Sequence, residues 1–176
     1  MTTMAPRLMP GAPVPDLSVS LAGGGTWTLS EQKPETFTVV EVYRGYHCPR
    51  CKQQLLDIDH KVARYAERGC GVIAISTDPE DRAEKTVAEW GIHQLPIGYG
   101  MTLDQARAWG LYISDAFQEK ETRLFAEPGL FLIRPDMTLY SNVIHTTPFH
   151  RHHHADVLEA IDMIRARNYP PRGTAA

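Results

Sequence analysis

The sequence predicts an α/β fold in which helices cover both faces of a central mixed β-sheet. Three observations carry this. Short apolar runs, "TFTVVEVY" and "GVIAIS", have the length and β-branched content of buried strands. Segments with apolar residues three and four apart alternate with those runs, as helices packed on a sheet require. Near the end, "GLFLIRP" and "TLYSNVIH" are separated by the turn "RPDMT", the pattern of an antiparallel strand pair.

Taken in order, Pro6, Pro10, Pro13 and Pro15 favour extended backbone and predict an arm over about residues 1–15, lying along the surface. "DLSVSL" and "TWTLS" flank Gly23, Gly24 and Gly25 and predict a hairpin. From Pro49 to about Arg68, Leu55, Ile58, Val62 and Tyr65 share one helical face, and Gly69 ends the helix. After "GVIAIS", a second helix is expected in "DPEDRAEKTVAEWG", a short strand in "LPIGYG" and a short helix in "TLDQARAWG". Residues 114–127 read as a polar connection. A closing helix from about Ala155 to Asn168 uses Val157, Leu158, Ile161 and Ile164, and residues 169–176 form a tail. Trp90 and Trp109, each before a glycine at a helix end, are expected as core anchors.

Composition narrows the function. A 43% hydrophobic and 22% charged chain of 176 residues suits one domain, 1–176, with a sizeable core. A formal charge of −3 leaves no basic excess for a phosphate backbone, so nucleic acid is not expected as a partner. No apolar run has the length of a signal peptide or a membrane span, so no membrane partner and a cytoplasmic location are expected. Three cysteines are too few for a disulfide framework.

Two of those three stand in "YRGYHCPRCK", directly after a predicted central strand and at the start of a predicted helix. Such a pair can be a redox dithiol, half of a metal site or inert packing; the strand-to-helix position favours redox chemistry. Cys48 falls at the N-cap with Pro49 at the first helical position, so free amides and the positive end of the helix face its sulfur. Arg44, Arg50 and His47 are candidates to add positive charge and favour the thiolate. Cys51, one turn on, is placed to resolve a mixed disulfide or sulfenic acid on Cys48. Cys70, between two glycines at a strand start, reads as a small buried hydrophobe. Asp57 and Asp59 are two apart on a helix and form no carboxylate dyad.

A βαβ unit, an antiparallel pair and a closing helix together give the arrangement of the thioredoxin fold. "YRGYHCPRC", "EPGLFLIRPDMTLY", "TTPFHRHHHADVLEAID" and "NYPPRG" resemble the peroxiredoxin-like branch of the alkyl hydroperoxide reductase C and thiol-specific antioxidant (AhpC/TSA) family, over roughly residues 8–173. The resemblance implies a thiol-dependent oxidoreductase with Cys48 in the peroxidatic place. It departs at three positions. The family's proline seven residues before that cysteine, its hydroxyl residue three before and its arginine from a later strand are met here by Glu41, Gly45 and Pro128. Pro128 then takes the place of the superfamily's cis-proline, expected to follow a cis bond from Glu127 and to face Cys48, and Arg44 or Arg123 would supply the positive charge. What remains suits disulfide exchange, so mixed disulfides with proteins are expected to outrun a slow peroxide reaction.

Five of the eight histidines, His145, His150, His152, His153 and His154, crowd into "HTTPFHRHHH". Adventitious zinc or nickel binding fits imidazole, but no carboxylate or cysteine at ligand spacing marks a defined site, so no metal ligand and no cofactor are assigned. Capping of the last helix or simple exposure would account for them.

The leading reading is an enzyme that cycles Cys48 and Cys51 between dithiol and disulfide, taking electrons from a thioredoxin-type or low-molecular-weight thiol and passing them to a hydroperoxide or protein disulfide. The alternatives are a non-enzymatic zinc or iron–sulfur binder using the same cysteines, and a redox sensor. A homodimer is compatible with the sequence.

Overall fold

The computed structural model describes residues 7–175. Pro6 and the residues before it, the start of the expected arm, lie outside the described residues. Strands β1 (Ser18–Leu21), β2 (Thr26–Thr28), β3 (Phe37–Val42), β4 (Cys70–Ile75), β5 (Ile97–Tyr99), β8 (Gly129–Ile133) and β9 (Leu139–Ile144) form one seven-stranded sheet, in the order β2-β1-β5-β4-β3-β8-β9. β3 pairs with β4 in parallel and with β8 antiparallel, so the strand read as central has a neighbour on each side.

Every residue of β3 is buried, which is why "TFTVVEVY" reads as an unbroken run rather than an alternation. Alternate residues still serve different layers. Phe37, Val39 and Tyr43 join a cluster with Leu55 and Ile58 of α1 (Pro49–Asp59), Tyr65 of α2 (Val62–Ala66), Trp90 of α3 (Glu80–Trp90) and Leu158 of α5 (His154–Arg167). Val40 and Val42 face the other layer, where Ala106 of α4 (Leu103–Ala108), Trp109, the arm residue Val14 and Leu17 just before β1 pack. Both tryptophans are therefore buried as expected. The arm hydrogen-bonds to the β8–β9 turn through Gly11 to Leu139 and Val14 to Met137.

The expected helix from Pro49 to Arg68 is two helices. Asp59 is pulled inward at the end of α1, where its carboxylate accepts the amides of His93, Gln94 and Leu95 at 2.7–3.3 Å. The chain turns at Lys61, whose φ of −109° and ψ of 0° are not helical, before α2 begins. Residues 114–127 are also more ordered than expected. β6 (Ile113–Asp115) and β7 (Leu124–Ala126) pair as a small separate sheet that carries the loop 116–123. Among the described residues, no helix is long and apolar enough to cross a membrane.

Candidate active site

Strand β3 delivers the chain to the dithiol through a loop of five residues, Tyr43 to His47. Gly45 lies there at φ +132°, and a Cβ at this position would come within 2.7 Å of Asp78 Oδ1. Asp78 is held in place because its Oδ2 accepts the Tyr46 amide at 2.7 Å. The place where the family carries a hydroxyl is thus closed to any side chain. Gly45→Thr is expected to destabilise by at least about 2 kcal/mol, lowering Tm by about 4–8 °C, without speeding any reaction of Cys48. Thermal unfolding and an alkylation rate on the same sample check this.

Cys48 occupies the N-cap of α1, with φ −102°, ψ 105° and Pro49 following as first helical residue. Its Sγ accepts the backbone N–H of Cys51 at 3.2 Å. Both cysteines are free thiols, Cys48 only 1% exposed and Cys51 fully buried. The facing Cys51 thiol, then the Cys51 amide, Arg44 and Arg151 outweigh the opposing effect of burial and hold the Cys48 pKa down to about 6. Burial and the neighbouring Cys48 push Cys51 well above the ordinary thiol range. The two thiols are therefore unequal at neutral pH, with Cys48 the thiolate. Alkylation of Cys48, followed on its peptide by mass spectrometry, is expected to rise with pH through a midpoint near 6 and to fall about tenfold per pH unit below it, as only the deprotonated form reacts.

The guanidinium that completes this arrangement is one the sequence reading missed. Arg151 Nη2 lies 3.0 Å from Cys51 Sγ and 3.9 Å from Cys48 Sγ. Its Nη1 donates to Gln54 Oε1 at 2.7 Å and its Nε to the Pro148 carbonyl at 3.1 Å, so the fork is fixed on three sides. The only signal in the sequence was an arginine within the histidine-rich stretch before the closing helix. Arg44 is also close, but its Nε donates to Glu127 at 3.0 Å and its Nη2 to Glu121 at 3.5 Å, while the group stacks over Phe125. Two carboxylates thus share its charge. Arg50 is exposed on the first turn of α1, and Arg123 is exposed beside β7, where its carbonyl accepts the Ala116 amide.

Two further expectations are corrected. Pro128 follows a trans peptide bond, there being no cis bond among the described residues. It is buried at the head of β8, its carbonyl accepts the His145 amide at 2.9 Å, and it does not line the cavity over Cys48; Pro148 does. The Glu127 carboxylate before it is tied to Arg44 and to Ser114 Oγ, which orders this segment without a cis turn. His47 adds no positive charge. Burial, then Arg44, lowers its pKa to about 4, leaving the imidazole neutral with its edge against Phe125. Both of its ring nitrogens lack a hydrogen-bond partner.

Cys48 forms part of the lining of a cavity of about 510 Å³ whose walls include Arg44, His47, Gln53 and Glu121. Phe117 and Phe149 stand at its edge, 91% and 74% exposed. Cys51 does not line it. Cys70 lies at the start of β4, and burial raises its pKa to about 11, in keeping with an inert thiol. Among the described residues the cysteines belong to no group of three or more metal-capable side chains; the group that does exist is Glu41, His152 and His154. Of the crowded histidines, His145 and His154 are buried and His152 half-buried, while His150 and His153 are exposed; His153 sits at the N-cap of α5 without a side-chain capping bond.

The profile of the AhpC/TSA family matches residues 10–141. Among solved structures, a peroxidoxin, BcpB, from Mycobacterium tuberculosis superimposes with a TM-score of 0.73 at 19% identity, over 92% of this chain and 99% of that one. AhpC from Enterococcus faecalis gives 0.72 at 18% identity, over 93% and 98%. A peroxiredoxin-like protein from Aquifex aeolicus gives 0.74 at 12% identity, over 92% and 90%. No curated protein sequence matches. At these identities the likeness establishes the thioredoxin-like fold of the peroxiredoxins.

Proposed function

Because the chain belongs to the AhpC/TSA family, we propose that it reduces hydroperoxides, with Cys48 as the attacking thiolate and Cys51 as the resolving thiol. Family and fold make it an oxidoreductase of the thiol peroxidase type. The single observation behind the finer reading is the Cys48 sulfur itself. It is a depressed-pKa thiol, 1% exposed on the wall of a half-open cavity, beside a guanidinium fixed on three sides. A small oxidant fits that approach better than a protein disulfide, and Arg151 adds its positive charge to that of Arg44, which lines the same cavity as Cys48. The preferred substrate is thus the reverse of the one expected from sequence.

In the first step the Cys48 thiolate attacks the terminal peroxide oxygen. The S–O bond forms, the O–O bond breaks and the alkoxide leaves, taking a proton to become the alcohol or water. His47, with two free ring nitrogens in the same cavity, is the side chain placed to hydrogen-bond the leaving oxygen. In the second step the Cys51 sulfur attacks the Cys48 sulfenic acid, releasing water and forming the disulfide. A thioredoxin-type or low-molecular-weight thiol then returns the disulfide to the dithiol, in keeping with a reducing cytosol.

The test is stoichiometric. Reduced chain mixed with one equivalent of an organic hydroperoxide is expected to yield one equivalent of alcohol and one Cys48–Cys51 disulfide, read by chromatography and by peptide mass. An unconsumed peroxide, together with ready reduction of added protein disulfides, would overturn the reading in favour of disulfide exchange.

A further inference from the structure

Glu41 is the one charged residue of β3, and it is fully buried in the layer that carries α1 and α5. A carboxylate so placed must be offset. Its Oε2 lies 2.8 Å from His152 Nε2 and 3.2 Å from His154 Nε2. One ligand atom from each of the three residues falls within 4.8 Å of the others. Bonds of about 2.0–2.2 Å from zinc to nitrogen and oxygen would set such donors roughly 3–3.6 Å apart, so small movements suffice.

Three observations point to a cation rather than to hydrogen bonding alone. Glu41 Oε1 is buried and has no partner, which leaves the carboxylate a free acceptor besides the oxygen that faces the imidazoles. Both imidazoles are held from behind, His154 Nδ1 by the Tyr65 hydroxyl at 2.5 Å and His152 Nδ1 by His145 Nε2 at 2.9 Å. With the protons on Nδ1 and these partners accepting, both Nε2 lone pairs aim at Glu41; this is the outer support that orients ligating histidines. Finally, a cavity of about 380 Å³, lined by Gln54, Arg151, His152 and His154 among others but not by Glu41, gives an entry path from the histidine side.

We propose that Glu41, His152 and His154 bind one divalent first-row transition cation, in a site separate from the dithiol. Two imidazoles and one carboxylate with an open position suit zinc and its neighbours better than calcium or magnesium. Ligation of His152 would also tether the segment that presents Arg151 to Cys51. The inference does not depend on the peroxide reading.

The test uses the full chain, freed of metal by chelation, with Cys48→Ser and Cys51→Ser to remove thiol ligands. Equilibrium dialysis against zinc is expected to show one equivalent bound, and cobalt(II) substituted for it should give a nitrogen and oxygen ligand field. Glu41→Gln and His152→Ala should each weaken binding at least 100-fold, and Tyr65→Phe, which removes only an outer partner, by about 10–100-fold. Exchanging the exposed His150 and His153 for alanine should leave the tight site intact. Should Glu41→Gln fail to fold by circular dichroism, His152→Ala and Tyr65→Phe carry the test. No zinc bound, binding indifferent to Tyr65→Phe, binding lost with His150 and His153, or binding confined to the protein with both thiols would each overturn the site.

Discussion

Cys48→Ser is expected to abolish peroxide consumption, whereas Cys51→Ser should complete one turnover and stop with a sulfenic acid on Cys48. The asymmetry follows from the positions of the two sulfurs. Cys48 lines the cavity and caps α1, where the Cys51 amide and the arginines favour its thiolate; Cys51 is fully buried, away from the cavity, with its pKa raised. A serine hydroxyl at Cys48 does not ionise near neutral pH, so the loss should reach the uncatalysed background. At Cys51 the substitution leaves the helix amide in place but removes the neighbouring sulfur placed to condense with the sulfenic acid. Excess peroxide should then drive Cys48 to the sulfinic acid, which disulfide formation is expected to forestall in the dithiol protein. Trapping with a sulfenate-specific reagent and intact mass would follow both stages. Mixed disulfides with other proteins, accumulating on Cys51→Ser in place of the sulfenate, would instead name protein disulfides as substrate.

Arg151→Met should slow the peroxide reaction by about 10–100-fold at neutral pH and move the alkylation midpoint of Cys48 upward. Arg151 donates to Cys51 Sγ at 3.0 Å and approaches Cys48 Sγ at 3.9 Å, so its charge lies on the dithiol in both directions. A hydrogen bond to a charged group contributes about 1.5–3 kcal/mol, and 1.4 kcal/mol is a factor of ten. Methionine keeps the aliphatic stem, so the packing of the loop is largely retained. Arg151→Lys keeps the charge but not the fork that also bonds Gln54 and Pro148, and should fall between. Arg123→Met, exposed beside β7, serves as the control with no change. Stopped-flow rates across pH separate the two contributions, since a change in pKa alone would vanish once the pH is well above it. An Arg151→Met rate equal to that of the parent chain would return the electrostatic role to Arg44.

Much of the molecule was legible because its signals are local. The β-branched run of β3 and the glycine after α3 act within a few residues, and each element formed near where its pattern lay. The dithiol was legible for the same reason. A cysteine at an N-cap with proline behind it and a second cysteine three residues on is a complete local arrangement.

The tertiary structure decided what depends on residues far apart in the chain. It ended α1 at Asp59, because three amides from the segment before β5 claim that carboxylate. It kept Pro128 trans and engaged its carbonyl with His145. It also brought Arg151 to the cysteines across about a hundred residues, and Glu41 to His152 and His154 across more. Those meetings follow from packing: Glu41 faces the layer that holds both α1 and α5, so the residues leading into α5 lie against the strand and helix that carry the acid and the thiols. Periodicity tells which face of an element turns inward; only the packing of the layers tells which other face it meets there.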